Sequence, residues 1–419
     1  MTCSLNRRAL LATALAAPFA ARAQAVPRVV VIGGGFAGAT AARALVATGH
    51  HVTLIEAESE YLSCPFSNAV AVGLRDMDGQ RFGWDHVAAA GVTVVRARAT
   101  AVDGVQKRVI TGAGAFDYDR LVMAPGIDLR LDAASGGLPG YTQAAVDRMP
   151  HAWKAGPQTI LLRDQLRAMP DGGTVVMAIP ANPYRCPPGP YERASLIAWY
   201  LKTNKPRSKL LVLDAKDVFS KQKLFQQAWA ALYPGILEWV SLSDGGKVTG
   251  VDAAAMTLTI DFATHKADVA NVIPPQRAGA IAVAAGVADR TGWCPVDPVS
   301  FESRLVPGIH VIGDAAIMGA MPKSAFAANA QAKVCAAAVA ALLSGQAPAE
   351  PRLINTCYSI AAPGYGVSIA GVYRPVGGQL ADIDGAGGPS PLDASPAVRA
   401  QEAAYGDAWY RTITGSVFG

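Results

Sequence analysis

The sequence predicts an α/β protein with two Rossmann-type units and a smaller α+β domain at the C-terminus. Two stretches carry this prediction, because residues 28–56 and 175–202 each show an apolar strand, a loop and a helix in that order. The chain has 419 residues, of which 51% are apolar and 16% are charged. This composition is typical of a folded protein, and the length predicts more than one core.

The first 25 residues have the features of an export leader. Arg7 and Arg8 form a basic pair, an apolar stretch covers 9–20, and small residues follow with the spacing of cleavage sites. The arginine pair favours the twin-arginine route, and a general secretory route stays open. The apolar stretch is too short to span a bilayer. We therefore expect a periplasmic protein with no integral membrane span.

Charge and metal-ligand patterns exclude several classes of partner. Loss of the leader removes Arg7, Arg8 and Arg22, which lowers the formal net charge from +5 to +2. No basic run with interleaved aromatic residues is present, so nucleic acid is not an expected partner. The six histidines are scattered, so no metal site is expected. An odd number of cysteines follows the leader, so at least one is not in a disulfide: Cys64, Cys186, Cys294, Cys335 and Cys357.

Residues 28–56 combine a glycine motif with the other elements of a dinucleotide site. Three glycines in a G-x-G-x-x-G pattern separate a strand from an alanine-rich helix, and a second strand ends in a glutamate. The glycines let the backbone approach a pyrophosphate, the helix N-terminus favours its charge, and the glutamate takes the ribose hydroxyls. The predicted contacts are Gly33, Gly35, Phe36, Ala37, Gly38 and Glu56.

A second set of features, at residues 306–335, distinguishes the dinucleotide. A short strand ends in Gly313-Asp314, and a helix begins soon after. This resembles the second fingerprint of flavoproteins with two dinucleotide-binding domains, and YDRLVMAPGI at 118–127 is similar to their third element, with proline in place of threonine or serine. The resemblance implies FAD, with Lys323 near the flavin's pyrimidine edge, where negative charge collects on reduction. Further predicted contacts are Ala99, Pro125, Gly126, Gly313, Asp314 and Lys323.

The second strand–loop–helix unit lacks the glycines of a nucleotide site. Its loop, ANPYRCPPGP, contains four prolines, which remove amide donors, and one cysteine, Cys186. We therefore predict no nicotinamide site here and expect another electron donor. Cys357, which we place in a loop beyond the FAD domain, is the candidate partner of Cys186. The two residues form a redox-active disulfide beside the flavin, a structural disulfide, or two unrelated thiols.

Several segments resemble the flavoprotein subunit of flavocytochrome c sulfide dehydrogenase. They are ANPYRCPPGPYERASLIAWYLK, INTCYS, GWCPVDPVSFES, GDAAIMGAMPKSAFAANAQAKVCA and DAWYRTITGSVFG. The resemblance runs from about residue 28 to residue 419 and implies a glutathione reductase-like fold. It also implies FAD bound covalently through Cys64 and a redox cystine formed by Cys186 and Cys357. Cys294 and Cys335 are then expected to be buried thiols.

These features predict an FAD-dependent oxidoreductase that converts sulfide to sulfur or polysulfide. Hydrosulfide would open the disulfide, and electrons would pass to the flavin as the disulfide re-forms. Glu192, near the start of the helix after Cys186, is the candidate base, and an ordinary helix N-terminal charge is the alternative. The chain has no C-x-x-C-H motif, so the acceptor is expected to be a separate c-type cytochrome.

The predicted domains follow from these assignments. They are a leader at 1–25, an FAD-binding domain at 26–145 and 271–345, a second Rossmann-like domain without an NAD site at 146–270, and a C-terminal interface domain at 346–419. The last domain contains aromatic residues that would contact the cytochrome or pack on the protein itself: Tyr405, Trp409, Tyr410 and Phe418.

Three other functions stay open. A sulfide:quinone oxidoreductase would need a quinone slot and a membrane-binding end, and the polar, glycine-rich C-terminus does not resemble one. A non-catalytic flavoprotein that binds and maintains a sulfur-oxidising complex is an alternative of another class. A nicotinamide-dependent disulfide reductase ranks last, because the second unit lacks the phosphate-binding glycines.

Overall fold

The computed structural model describes residues 26–419. The predicted export leader at 1–25 lies outside the described residues. The chain begins with a split α/β unit, crosses into a second α/β unit, returns to the first, and ends in an antiparallel sheet with one long helix.

The first half of the first unit alternates strands with short helices. Its elements are β1 (Arg28–Ile32), α1 (Phe36–Ala47), β2 (His51–Glu56), β3 (Tyr61–Leu62), α2 (Ser67–Ala71), β4 (Arg81–Phe82), α3 (Asp85–Ala89), β5 (Thr93–Arg96), β6 (Ala99–Asp103), β7 (Arg108–Thr111), β8 (Gly114–Asp117), β9 (Arg120–Met123), β10 (Ile127–Leu129) and α4 (Gln143–Val146).

The second unit and the return to the first follow in sequence. The second unit contains α5 (Pro157–Ala168), β11 (Thr174–Ile179), α6 (Gly189–Asn204), β12 (Lys209–Asp214), α7 (Gln222–Leu232), β13 (Leu237–Val240), β14 (Val248–Asp252), β15 (Thr257–Ile260), β16 (Thr264–Lys266) and β17 (Val269–Val272). The returning chain contains β18 (Gln276–Ala278), α8 (Ala280–Ala284), β19 (Cys294–Pro295), β20 (Ile309–Val311), β21 (Ala316–Ile317) and α9 (Ala325–Leu343). The C-terminal part contains β22 (Leu353–Ala362), β23 (Tyr365–Val376), β24 (Gln379–Asp382), β25 (Gly388–Pro389) and α10 (Pro396–Phe418).

The first unit is built on a parallel sheet in the order β20-β9-β1-β2-β5. Strand order reverses beside β1, and ligands of such sheets bind at the carboxyl ends of the strands at that point. β1 is almost wholly apolar because helices cover both faces of the sheet. Four of the six alanines of α1 are buried, and their small size lets α1 pack closely against α9.

The second unit has its own parallel sheet, in the order β13-β12-β11-β17. The two crossings between the units lie side by side, because β10 and β18 pair as antiparallel strands from Ile127–Ala278 to Leu129–Gln276. This pairing holds the second unit against the carboxyl ends of the first sheet. The predicted pair of Rossmann-type units is therefore confirmed.

The C-terminal part is an antiparallel sheet, β22-β23-β24, against which α10 packs. The aromatic residues of α10 pack mainly on the protein itself. Tyr410 and Phe418 are buried, and the Phe418 ring lies 5.0 Å from the Tyr61 ring, whereas Tyr405 is half exposed. Trp409 stacks on Phe326 at 6.2 Å between ring centres.

The prediction that Cys357 lies in a loop is wrong. Cys357 is in the middle of β22, opposite Ile369 of β23. β-Branched and aromatic residues surround it in the sequence, and they favour a strand once a partner strand is present. The strand makes the position of Cys357 more rigid than a loop would.

Among residues 26–419, one helix, α9, is long and apolar enough to cross a membrane by length and composition. It packs between α1 and β22, and its buried residues include Gln331 and Cys335. The core helix of a folded protein can be as long and as apolar as a membrane-spanning helix, and the contacts of α9 are those of a core helix.

Candidate functional site

A cavity of about 780 Å³ lies at the carboxyl ends of β1 and β9. Residues from the first unit, the loop before α6 and β22 line it. Fourteen of the sixteen predicted site residues are in its wall: Gly33, Gly35, Phe36, Ala37, Glu56, Cys64, Ala99, Pro125, Gly126, Cys186, Glu192, Gly313, Asp314 and Cys357. The fold therefore brings the dinucleotide motif and the predicted redox residues to one cavity.

The glycine motif forms a cradle at the N-terminus of α1. A Cβ atom on Gly38 would lie 1.8 Å from the carbonyl oxygen of Gly33, so no other residue fits there. Gly33 has a φ of 95°, and a Cβ there would meet the carbonyl oxygen of Ala124 at 2.3 Å. No side chain caps α1 at Gly35, so its first amide groups are free to bind a pyrophosphate. Gly38 lies behind the wall and acts through this packing.

Glu56, at the end of β2, lies where the ribose hydroxyls of a bound dinucleotide would lie. Its Oε2 accepts a hydrogen bond from the amide of Gly34 at 2.6 Å, and its Oε1 accepts one from Glu58 at 2.9 Å. The indole of Trp84 donates to the carbonyl oxygen of Gly34 at 3.0 Å. Trp84 thus supports the glycine loop from the side, a role that the sequence did not suggest.

Asp314 provides a test of whether the cavity fits FAD. It lies in a short 3-10 turn that Gln331 holds by accepting the Gly313 amide at 2.8 Å. Asp314 Oδ1 is buried and has no hydrogen-bond partner among the described residues. Burial raises the pKa of Asp314, while Arg185 and Lys323 oppose the shift. A buried acceptor that faces a cavity fits a hydroxyl donor, such as those of the ribityl chain.

Lys323 lies behind the turn that carries Asp314 and is not in the cavity wall. Its Nζ donates to the carbonyl oxygens of Asp314 and Ala316, both at 2.7 Å, and lies 4.0 Å from the centre of the Trp293 ring. Burial lowers the pKa of Lys323 to about 8. Lys323 is therefore placed to affect a bound flavin through the Asp314 turn rather than by direct contact.

Cys186 and Cys357 are free thiols in this structure, and both line the cavity. Cys186 has a left-handed φ of 58°, and its amide donates to the carbonyl oxygen of Lys323 at 2.8 Å. Burial raises the pKa of Cys186, and the neighbouring Cys357 and Glu192 raise it further. The sulfur of Cys357 accepts a hydrogen bond from Asn355 Nδ2 at 3.3 Å. The two sulfurs thus share one cavity but differ in their polar neighbours.

Cys64 lies between β3 and α2 and lines the same cavity. Its side chain is half-buried, and its Sγ lies 3.9 Å from the carbonyl oxygen of Trp153. Cys294 and Cys335 are fully buried elsewhere in the fold, as expected for packed thiols.

Glu192 lies in the first turn of α6 and faces the cavity. Its carboxylate accepts hydrogen bonds from Asn68 Nδ2 at 3.3 Å and from the amide of Ile360 at 3.2 Å. Burial raises the pKa of Glu192, while the Ile360 amide and Lys221 oppose the shift. A carboxylate with a raised pKa is a stronger base than an exposed one and is suited to accept a proton from a reacting group.

The sequence did not predict three cations near the site, of which Arg193 and Lys221 are buried and Arg185 is half-buried. The Arg185 guanidinium lines the cavity and donates to the carbonyl oxygen of Trp153. Arg193 is 1% exposed and donates to Asn68 Oδ1 at 2.9 Å. Lys221 reaches across from the second unit to β22. The charged residues in the otherwise apolar segment YERASLIAWY could have indicated that Arg193 is buried near the site. The sequence around Lys221 contains no comparable pattern.

The acidic residue at the end of the second strand of the second unit, Asp214, is bound by other side chains of the protein. Asp214, at the end of β12, corresponds in position to Glu56 in the first unit. It accepts hydrogen bonds from Tyr191 at 2.6 Å and from Trp239 at 3.0 Å, and it pairs with Lys216 at 2.5 Å. These contacts support the prediction that the second unit binds no nicotinamide dinucleotide. No group of three potential metal ligands is found within residues 26–419.

This fold and this cavity define an FAD-dependent oxidoreductase, and residues 27–152 match the pyridine nucleotide-disulphide oxidoreductase family. More narrowly, the chain belongs to the flavoprotein family of flavocytochrome c sulfide dehydrogenase. Residues 159–274 match the central domain of that flavoprotein chain, and residues 349–418 match its flavin-binding domain. The flavoprotein chain of sulfide dehydrogenase (flavocytochrome c) from Chlorobaculum thiosulfatiphilum is 51% identical over 45 residues, 10% of this chain and 94% of that sequence.

Solved structures confirm the glutathione reductase-like fold. The sulfide:quinone oxidoreductase of Aquifex aeolicus is similar with a TM-score of 0.71 and 16% identity, over 93% of this chain and 92% of that chain. Putidaredoxin reductase, in its covalent complex with putidaredoxin, has a TM-score of 0.63 and 18% identity, over 93% of each chain. At these identities the similarity shows the fold alone.

Proposed function

We propose that this protein is the flavoprotein of a periplasmic sulfide dehydrogenase. It oxidises sulfide through a Cys186–Cys357 disulfide and FAD, and it passes the electrons to a c-type cytochrome. One observation carries this proposal: the two cysteines and Glu192 line the same cavity as the dinucleotide cradle. FAD, when bound, accepts electrons in pairs and releases them one at a time.

The reaction at the two cysteines balances as follows. Hydrosulfide attacks one sulfur, the S–S bond breaks, and the products are a cysteine persulfide and a cysteine thiolate. Re-formation of the disulfide releases one sulfur atom, one proton and two electrons. Glu192 takes the proton, since its carboxylate faces the cavity and its pKa is raised by burial. FAD held at the cradle would be the acceptor of the two electrons.

Two features of the proposal concern the maturation of the protein. Cys64 is the proposed site of a thioether to FAD, because its side chain lines the cavity and the related family implies attachment there. Export through the twin-arginine route is proposed from Arg7 and Arg8. This route carries folded proteins, so FAD would bind before export.

The decisive experiment is anaerobic mixing of the purified protein with sulfide while the flavin absorbance is recorded. Wild type should bleach rapidly, and Cys186→Ser and Cys357→Ser should not. Cys335→Ala is the matched control, because Cys335 is buried in α9 away from the cavity, and it should bleach like wild type. NADH should bleach none of them. Rapid bleaching of both serine variants by sulfide would rule out the disulfide route.

The electron acceptor is tested on the sulfide-reduced protein. Horse-heart cytochrome c should reoxidise the flavin, whereas a short-chain quinone should do so slowly. The reverse order would favour a sulfide:quinone oxidoreductase. Absence of any bleaching by sulfide would reject catalysis and favour a binding role in a sulfur-oxidising complex.

A further inference from the structure

The ammonium group of Lys221 is buried against β22, the strand that contains Cys357. Its Nζ donates to the carbonyl oxygen of Cys357 at 2.9 Å, to Ser359 Oγ at 2.7 Å and to the carbonyl oxygen of Val367 at 3.5 Å. Lys221 has a φ of 62°, a left-handed conformation that is unfavourable for a residue with a side chain. The tertiary structure holds it there, immediately before α7.

Within residues 26–419, the ammonium group of Lys221 has only neutral hydrogen-bond acceptors. Its partners among the described residues are two carbonyl oxygens and one hydroxyl oxygen, although Lys221 is only 6% exposed. A buried charge without a counter-ion is costly, and burial lowers the pKa of Lys221. The titratable groups that face it and oppose this shift are Cys357, Glu192, Cys186 and Glu402.

A second donor points directly at the sulfur of Cys357. Asn355 Nδ2 lies 3.3 Å from Cys357 Sγ. Ser324 Oγ donates to Asn355 Oδ1 at 2.6 Å, and this bond orients the amide with its NH₂ group toward the sulfur. Asn355 is 2% exposed, so water does not replace this contact.

Cys186 has a different set of neighbours. The Glu192 carboxylate, Arg185 and Lys221 face it, and burial is the largest influence on its thiol, followed by Cys357 and Glu192. Burial and the carboxylate both disfavour a negative charge on Cys186, and Arg185 and Lys221 oppose them with smaller effects. The two cysteines therefore differ in their contacts, because Asn355 donates to Cys357 Sγ and Lys221 to the carbonyl oxygen of Cys357, while the Glu192 carboxylate faces Cys186.

We propose that Lys221 and Asn355 hold the negative charge on Cys357 when the disulfide opens, so that Cys186 carries the incoming sulfur. This inference rests on the proposed function and assigns a direction to its first step. Hydrosulfide bonds to Sγ of Cys186, the S–S bond breaks, and its electron pair leaves with Sγ of Cys357. The proton stays on the terminal sulfur of the Cys186 persulfide until Glu192 removes it. Thiol–disulfide exchange is faster when the leaving thiolate is stabilised, which is the role of the two donors.

The first test measures thiol reactivity without sulfide. Wild type, Lys221→Met and Lys221→Arg are reduced anaerobically with dithiothreitol, freed of it, and treated with iodoacetamide, an uncharged reagent. Peptide mass spectrometry follows alkylation of Cys357 over time. Lys221→Met should slow it about tenfold near neutral pH, because loss of a nearby positive charge disfavours a thiolate, typically by about a factor of ten or more. Lys221→Arg should retain most of the rate. A wild-type rate in Lys221→Met with FAD still bound would overturn the inference.

The second test needs no variant, so it decides the matter even if Lys221→Met fails to fold. Wild type is mixed with one equivalent of sulfide, quenched with iodoacetamide and digested. The additional sulfur atom should be found on the Cys186 peptide, and Cys357 should be alkylated without it. Additional sulfur on Cys357 would refute the inference but leave sulfide oxidation standing. If wild type neither bleaches nor gains sulfur, the proposed function fails. The alkylation rates of the first test still show whether Lys221 stabilises the Cys357 thiolate.

Discussion

The backbone amide of Cys186 donates a hydrogen bond to the carbonyl oxygen of Lys323 at 2.8 Å. Lys323 in turn donates to the carbonyl oxygen of Asp314 at 2.7 Å. These two hydrogen bonds connect the backbone of Cys186, through Lys323, with the backbone of Asp314, whose carboxyl group lines the cavity. The two hydrogen bonds therefore fix the position of the proline-rich loop relative to the Asp314 turn of the first unit.

Substitution of Cys64 with alanine should convert covalent flavin into dissociable flavin. Acid precipitation of wild type should leave the flavin absorbance in the pellet, and precipitation of Cys64→Ala should release it into the supernatant. Before precipitation Cys64→Ala should still bind FAD, because the cradle at Gly33 and Gly38 is unchanged. Release of the flavin from wild type would disprove the thioether.

Glu192→Gln should lower the rate of sulfide-driven bleaching on the order of 100-fold, the usual contribution of a positioned base. The rate of wild type, expressed per concentration of hydrosulfide anion, should fall as pH falls, because protonated Glu192 accepts no proton. Since burial raises the pKa of Glu192, this fall should begin at a higher pH than for an exposed glutamate. Stopped-flow traces over a pH series check both points.

The glutamine variant should show no such acidic limb. Its amide oxygen can still accept the Ile360 hydrogen bond, so its FAD content should match that of wild type. An unchanged acidic limb in Glu192→Gln would assign the titration to another group.

Gly38→Ala should prevent FAD binding or folding, because the added methyl group would lie 1.8 Å from the carbonyl oxygen of Gly33. Gly415→Ala is the control, since a Cβ there meets no atom within 4 Å and alanine favours the helix α10. The ratio of flavin to protein absorbance measures the outcome. A normal ratio for Gly38→Ala would mean that α1 can move away from the glycine loop at Gly33 at little cost in free energy.

Asp214→Asn should destabilise the second unit. It leaves the ammonium of Lys216 buried without its counter-ion, which typically costs about 3–5 kcal/mol. Denaturant unfolding measures the loss of free energy. Asp164→Asn should have little effect, because the Asp164 side chain, paired with Arg163, is 55% exposed. Equal stability of Asp214→Asn and wild type would show that water or another group replaces the carboxylate.

Local patterns in the sequence were sufficient for the dinucleotide cradle. A strand, three glycines, a helix and Glu56 lie within one continuous segment, so their geometry is a property of that segment. The proline-rich loop was identified in the same way, because proline removes amide donors wherever it occurs. These predictions needed no knowledge of distant contacts.

The surroundings of Lys221 and Cys357 could not be predicted from local patterns in the sequence. Cys357 forms part of a strand only because β23 lies beside it, and Lys221 is buried only because β22 covers it. Lys323 points behind the Asp314 turn for a similar reason, since the Trp293 ring and two carbonyl oxygens take its ammonium group. None of these partners is near in the sequence.

The sequence by itself therefore determined the fold class, the dinucleotide site and the identity of the sulfur-bearing residues, since each depends on residue type and short-range spacing. The tertiary structure decided which groups surround each sulfur, and with them the direction in which the disulfide is expected to open. The physical reason is that electrostatic environments depend on distance and burial. Chain segments far apart in sequence set both quantities at Cys186 and Cys357.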